Sequence, residues 1–314
     1  MSAQARLFDV VVTGGYYMDL VFTGLESLPQ LGREILSKDF NLLPGGSFTT
    51  AVTLKRLGIK TAWAADFGTD LFSRLTRQQA EEEGVDLGLS VQHDRSMANI
   101  TVSCSFPEDR AFITYCDPEP ALLAALRNLT QFDACVIYIP GFYTGKGLGL
   151  IHSLPNLRGT RLVMDGNTNE IVTLDKPANR RILRTVDLFL CNQREAEQLT
   201  GENDLQAMIA ALRRYCAHGV VKIGKDGAWG WRDGELVYAP GIPVRAVDTT
   251  GAGDVFNAGY LAAWLEGLPL ERCLRWGNLA GGLSTQKLGG VAFRMDRAIL
   301  LEAENKYYPS GRGV

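Results

Sequence analysis

The feature that most narrows the fold of this chain is a recurring alternation of short, nearly continuous apolar runs with segments of helical periodicity. Phe8 to Thr13 reads Phe-Asp-Val-Val-Val-Thr and stops at Gly14-Gly15. Comparable runs lie at Asp133–Pro140, Arg161–Asp165, Val186–Cys191 and Gly219–Gly224. A strand with no polar face must be covered on both sides, which is the condition of a parallel sheet. Between the runs, Asp70–Glu83 is amphipathic and ends at Gly84, Arg194–Leu199 ends at Thr200-Gly201, and Asp204–Tyr215 carries apolar residues at helical spacing. Such alternation predicts an α/β sheet with helices on its faces, whose ligands sit beyond the carboxyl ends of the strands.

One stretch departs from the pattern. Ala98–Cys104 and Arg110–Tyr115 read as two strands around Phe106-Pro-Glu-Asp109, a hairpin and not a crossover, and Leu20–Leu43 is poor in helix signals. No Ser/Gly linker, low-complexity tract or repeat divides the chain. Residues 1–314 are therefore expected to form a single domain, with segments near 16–43 and 96–117 building a small sheet that serves as a lid. Free strand edges on that sheet make a homodimer through the lid the expected assembly.

Composition limits the partners. With 46% hydrophobic and 21% charged residues the chain sits near globular averages, which excludes wholesale disorder and coiled coil. A net charge of −3 gives no general field for nucleic acid or an anionic membrane. No apolar run approaches the roughly 18–20 residues that span a bilayer, and Met1–Leu7 lacks a basic start leading into a long apolar segment, so a cytoplasmic location is expected. The six cysteines (Cys104, Cys116, Cys135, Cys191, Cys216, Cys273) form no CxxC pair and are read as reduced packing residues. His93, His152 and His218 have no metal-ligand spacing and are assigned surface or packing roles.

The chemistry concentrates at Asp248-Thr-Thr-Gly-Ala-Gly-Asp254, a tight turn feeding a helix, Val255–Gly267, that is apolar on nearly every side. A helix of that kind is buried, so its amino end opens inside the protein. Unpaired amides and the helix dipole make that end a site for anionic oxygen, and small residues admit phosphate closely. Asp254, in the first turn, is expected to keep a low pKa and to be ionised at neutral pH. Such a carboxylate is placed either to accept a proton from an attacking hydroxyl or simply to cap the helix.

This heptapeptide resembles the C-terminal signature of the PfkB, or ribokinase-like, family of carbohydrate and nucleoside kinases. The similarity covers most of the chain in order: Asp19 after the first strand, the Gly45-Gly46 helix start, Asn192-x-x-Glu195, then the glycine turn. The resemblance implies a three-layer α/β/α fold with a central, mostly parallel sheet and a small β-sheet lid. It also implies ATP-dependent phosphorylation of a substrate hydroxyl, with Asp254 as base and the amides of Gly251, Ala252 and Gly253 as anion hole.

The other matched positions carry expectations of their own. Asp19 can accept hydrogen bonds from two adjacent hydroxyls, as a sugar presents, although an aspartate in such a loop can also be solvated or cap a turn. Gly45 and Gly46 bare the backbone to substrate oxygens before a helix read as Thr49–Leu57. Thr49 or Thr50 stands where the family usually has asparagine, and Thr49 is taken as substrate-binding. By resemblance Asn192 and Glu195 place Mg²⁺ and phosphates, largely through water; as bare sequence they are a helix N-cap with an acidic first turn. Asp165 and Asn167 join that network at lower rank, with Asn169 where the family commonly has arginine. Gly224-Lys225-Asp226-Gly227 resembles the nucleotide loop, with Lys222 and Lys225 offsetting phosphate charge. Asn278 and Gly289-Gly290 border adenine by the same resemblance, and Asp248 with Thr250 contributes to a monovalent-cation site for K⁺.

Rival chemistries fit less well. Gly141–Gly147 has neither the P-loop spacing nor the hydroxyl after lysine, and Gly14-Gly15-Tyr16-Tyr17 lacks the later glycines of a dinucleotide fingerprint. The expected activity is γ-phosphoryl transfer to a small sugar or sugar derivative. Two alternatives stay open: a nucleoside kinase, in which Tyr16, Tyr17, Phe106, Phe112 and Tyr115 offer a stacking surface for a base, and a ligand-sensing relative that binds without transfer.

Overall fold

Val10 and Val12 pack into one buried cluster and Val11, between them, into another, so the first strand is covered on both faces as its sequence requires. The structure, a computed structural model, describes residues 7–106, 110–117, 134–142, 144, 159–168 and 170–309. In chain order its strands are β1 (Phe8–Thr13), β2 (Tyr16–Thr23), β3 (Asp39–Gly46), β4 (Thr61–Ala64), β5 (Asp66–Phe67), β6 (Val91–Gln92), β7 (Ile100–Ser105), β8 (Arg110–Tyr115), β9 (Ala134–Ile139), β10 (Arg161–Asp165), β11 (Leu188–Asn192), β12 (His218–Lys222), β13 (Gly227–Arg232) and β14 (Glu235–Pro240).

Eight of them form the central sheet in the order β14-β13-β12-β11-β10-β9-β1-β4. The six strands from β12 to β4 run parallel, and the antiparallel hairpin β13–β14 extends one edge. The expected strands are all present, with ends moved by a residue or two: the run read as Val186–Cys191 becomes Leu188–Asn192. A separate four-stranded sheet has the order β3-β2-β7-β8 and contains the expected hairpin, Val102 opposite Ile113. Its central pair, β2 with β7, is parallel, Leu20 beside Val102, between two antiparallel pairs.

Helices cover both faces of the central sheet. On one side lie α1 (Ser47–Arg56) and α2 (Leu71–Glu82); on the other lie α3 (Pro177–Leu183), α4 (Gln193–Thr200) and α5 (Leu205–Arg213); α6 (Ala252–Leu265), α7 (Leu270–Ser284) and α8 (Arg297–Tyr307) complete the first layer. Helix α1 begins two residues earlier than Thr49, because Gly46 at φ +66° supplies the N-cap turn and Ser47 N donates to Gly15 O at 3.2 Å. In α2 the Asp70 carboxylate accepts from Ser73 N, a side-chain cap of the kind its sequence suggests. Ten consecutive residues of α6, Val255–Trp264, are buried.

The close approach of α6 and α7 explains the small residues of Trp276–Gly282: the Phe256 ring fills the space where a side chain at Gly277 would stand, and Ala252 O with Phe256 Cβ fills that at Gly281. These positions serve helix packing. All six cysteines are free; Cys191, Cys216 and Cys273 are buried, whereas Cys116 is exposed and so departs from the packing role expected of it. His93 bonds Asp66, and buried His218 bonds the Tyr260 hydroxyl, both at 2.7 Å, while His152 lies outside the described residues. Most of Gly141–Gly147 also lies outside them. Among the described residues no helix is long and apolar enough to cross a membrane.

Candidate active site

Helix α6 is buried from Val255 to Trp264, and its amino end, where Gly253 is exposed, opens beside the carboxyl ends of β10 and β12, which carry Asp165 and Lys222. Gly251 is the N-cap at φ +71°, and a Cβ placed on it would come within 3.2 Å of Gly290 Cα, so glycine is demanded by both conformation and space. The Ala252 amide donates to Thr249 O at 3.2 Å within the turn. The amides of Gly251 and Gly253 have no acceptor among the described residues and lie at the positive end of the α6 dipole.

Asp254 stands in the first turn of α6, half-buried. Its expected low pKa is not what the structure yields: burial, then Asp165, with Glu195 and Asp19 acting in the same direction against Lys222, pushes it up to about 7. The dipole belongs to one helix, whereas the tertiary structure collects carboxylates from β10, α4 and β2 around the same point. A base with a pKa near 7 is matched to work at neutral pH.

Beneath Asp254 lies a polar network that sequence reasoning largely missed. Lys222 Nζ donates to Asp165 Oδ2 at 3.0 Å and to Asn257 Oδ1 at 3.1 Å. Asn257 Nδ2 donates to Asp165 Oδ2 at 2.6 Å and to the Tyr138 hydroxyl at 2.8 Å. Burial opposes a charge on Lys222, but Asp165, Glu195 and Asp254 outweigh it and raise its pKa, so it is an ammonium. Its Nζ lies 3.6 Å from the point a Cβ on Gly253 would occupy. Of the two lysines expected to offset phosphate charge, Lys222 is therefore beside Gly253, while Lys225 is exposed on the short turn Gly224–Asp226 that leads to Gly227. Asp165 ranks above its sequence assignment, at the centre of the network. Asn257 and Tyr138 were absent from the candidates; an amide in the otherwise apolar run Val255–Leu265 was the one available signal.

Asn192 and Glu195 form a complete capping box at the start of α4. Asn192 Oδ1 accepts from Glu195 N at 2.8 Å and Glu195 Oε2 from Asn192 N at 2.8 Å, while Asn192 Nδ2 donates to Glu195 Oε1 at 2.7 Å. The cap reading is the one seen in the structure, and each carboxylate oxygen keeps a lone pair beyond its cap bond. Burial and then Asp165 raise the pKa of Glu195. Among the described residues no group of three His, Cys, Asp or Glu side chains is arranged to cage a metal ion. That donor set fits Mg²⁺, which keeps most of its waters and takes few carboxylates.

Asp19, on β2, pairs with Leu43 on β3, and its Oδ2 lies 3.1 Å from the point a Cβ on Gly45 would occupy. Burial and then the Asp248 charge push the Asp19 pKa up to about 6. Asp248 braces the turn before α6: Oδ1 accepts from Thr250 N at 3.0 Å and Thr250 Oγ1 at 2.7 Å, and Oδ2 from Gly289 N at 2.8 Å. Bracing is thus the task the structure gives the pair assigned to K⁺. Thr49, expected to touch substrate, is fully buried; its side chain packs under Gly251 and Gly290 as a floor, with Oγ1 lacking a hydrogen-bond partner. Asn278 is also buried, and its amide donates to Ala239 O and Pro240 O at 3.0 Å, pinning the end of β14. Of the aromatics offered as a stacking surface, Tyr16 is core, bonded to Ser73 Oγ at 2.8 Å and stacked on Phe67, while Phe112 and Tyr115 are exposed on β8.

The sequence matches the description pfkB family carbohydrate kinase over residues 8–296. It is 27% identical over 308 residues to the uncharacterized sugar kinase YegV of Escherichia coli K12, which spans 95% of this chain and 94% of that one. Among solved structures, Arabidopsis thaliana ribokinase complexed with ribose and ATP is similar with a TM-score of 0.76 at 23% identity, covering 94% of this chain and 98% of that one. An Escherichia coli structure in complex with ATP and Mg²⁺ has a TM-score of 0.80 at 19% identity, covering 96% and 100%. At these identities the structural likeness establishes a shared fold.

Proposed function

The chain belongs to the pfkB family of carbohydrate kinases, and from that premise we propose that it transfers the γ-phosphoryl group of ATP to a hydroxyl of a small, uncharged sugar or sugar derivative. One observation carries the reading: Asp254, with a pKa of about 7, stands in the first turn of a buried helix whose Gly251 and Gly253 amides lack acceptors, beside the Lys222 ammonium.

Asp254 takes the proton of the acceptor hydroxyl as that oxygen bonds to the γ-phosphorus and the bond to the β,γ-bridging oxygen breaks, leaving ADP. An alcohol is too weak an acid to ionise first, so in a loose transition state the proton leaves late. Gly251 and Gly253 amides, with Lys222, hold the oxygens of the migrating group, where the electrostatic contribution is greatest. Asn192 and Glu195 would hold Mg²⁺, which when bound would supply positive charge to neutralise the phosphates. Asp19 and Asp248 put two carboxylates on the acceptor side, which suits the vicinal hydroxyls of a neutral polyol and repels a sugar acid or sugar phosphate. The burial of Tyr16 weighs against a base-stacking surface and so against a nucleoside acceptor.

The four-stranded sheet, as part of one domain of residues 1–314, acts as the lid over this acceptor side. Exposed Phe40, Leu42, Phe112, Ile113 and Tyr115 on its strands favour pairing with a second copy, which light scattering measures.

The test of the activity is direct. The pure protein is incubated with ATP and Mg²⁺ against neutral sugars, sugar acids, sugar phosphates and nucleosides, and ADP with phosphorylated product is measured. Turnover of a neutral sugar is expected; turnover of nucleosides alone, or ligand-induced thermal stabilisation with no ADP, defeats the reading.

A further inference from the structure

We propose that Asn257 is a positioning residue for phosphoryl transfer, its amide clamping the Asp165–Lys222 pair so that the Lys222 ammonium stays under the amino end of α6, beside Gly253. The inference rests on the kinase reading above. Asn257 lies one turn after Asp254 on the same helix and is fully buried. Its two neighbours make opposite demands. The ammonium of Lys222 can only donate and the carboxylate of Asp165 can only accept, so the group between them must offer an acceptor to the first and a donor to the second. An amide does both. Oδ1 therefore faces Lys222 at 3.1 Å and Nδ2 faces Asp165 at 2.6 Å, and the remaining proton of Nδ2 goes to the Tyr138 hydroxyl at 2.8 Å.

The clamp joins β9, β10, β12 and α6 at one point directly behind the anion hole. Three carboxylates, Asp165, Glu195 and Asp254, draw on the Lys222 ammonium from three different elements. A lysine on a flexible four-carbon stem has no rigid fork to choose among them. Asp165 alone binds it at one oxygen; Asn257 supplies the second point and makes the direction unique. A charge so fixed acts on the oxygens of the migrating group, where charge is rearranged in the transition state, so its displacement lowers kcat more than it weakens substrate binding.

Asn257→Leu keeps the volume and removes both hydrogen-bonding faces; Asn257→Asp keeps the shape and sets a carboxylate against Asp165. These variants, Lys222→Met and the double variant Asn257→Leu with Lys222→Met are compared with the wild type in steady-state kinetics with ATP, Mg²⁺ and a neutral sugar the wild type phosphorylates. Asn257→Leu is expected to lower kcat about 10- to 100-fold with both KM values within about threefold, and the double variant to be within about twofold of Lys222→Met. Losses that multiply in the double variant, or a loss confined to KM or to thermal stability, overturn the proposal. Should Asn257→Leu fail to fold, Asn257→Asp carries the same comparison. An independent readout needs no turnover: the ¹⁵N-coupled ammonium signal of Lys222, protected from exchange in the wild type, is expected to broaden away in the Asn257 variants. A signal that persists unchanged overturns the clamp even in an active enzyme. A wild type that turns over no acceptor while losing that signal in the variants overturns the kinase reading and leaves the clamp standing.

Discussion

Asp19 Oδ2 lies 3.1 Å from the position a Cβ would take on Gly45, across the antiparallel pair β2–β3. The bare backbone of Gly45 is what lets a half-buried carboxylate stand against the sheet. The two residues form one device, read separately in the sequence.

Gly45→Ala therefore displaces Asp19. The expected outcome is a rise of about 10-fold in KM for the acceptor with KM for ATP unchanged, since a single well-made hydrogen bond to a charged group is worth roughly 1.5–3 kcal/mol. Equal rises in both KM values would place Asp19 away from the acceptor.

Acidity should silence the enzyme from the base side. Asp254, near 7, and Asp19, near 6, are both raised by burial first, so each is protonated as pH falls through those values. The pH profile of kcat/KM is expected to fall below about pH 7, more steeply below about pH 6, with the apparent values belonging to the coupled group. A flat profile from pH 5 to 8 would remove the base role.

Asp254→Asn is expected to lower kcat by about 10²- to 10⁴-fold while ATP binding persists. It also has a stability signature. A carboxyl whose pKa is raised on folding holds its proton more tightly in the native state, so the stability linked to it is full below about pH 4 and lost as pH rises through 7. The Asn variant should therefore unfold at higher denaturant than the wild type at pH 8, by roughly 1–2 kcal/mol after solvent screening, with the difference gone near pH 4. Loss of stability at pH 8 would contradict the raised pKa.

Away from the site, Arg56 at the end of α1 donates from Nε and Nη2 to Glu83 at 2.8 and 2.6 Å and from Nη1 to Val291 O at 2.5 Å, tying the 289–291 loop to two helices. The Arg56 hydrogen bond first, opposed by burial, holds the Glu83 pKa below its usual value, so its contribution is present above about pH 4.5 and is lost as pH falls further. Arg56→Met is expected to cost about 2–4 kcal/mol at pH 7 and to flatten the acid limb of the stability curve below pH 4.5. An unchanged acid limb would show that Glu83 draws its low pKa from elsewhere.

Local chemistry was legible before any coordinates. The β-branched run of Phe8–Thr13 required cover on both faces, Gly251 with its small neighbours required a tight turn, and Asp70, Asn192 and Gly201 marked helix ends, each because the cause lies within a few residues of its effect. The hairpin β13–β14 escaped notice because Trp229 and Trp231 flank Gly230, whose bare backbone is filled by Leu274 of a distant helix.

What the chain alone determined was the order of strands and helices and the placing of Asp254 at the head of an apolar helix, for hydrophobic period and capping are properties of neighbours in sequence. Tertiary structure decided everything that depends on distance. It gathered Asp165, Glu195, Asp19 and Lys222 around Asp254 and raised its pKa from the expected low value to about 7, turned Thr49 into a floor, and gave Asn257 its two unlike partners. Burial and Coulomb interaction act through space across residues far apart in the chain, and no window of sequence contains them.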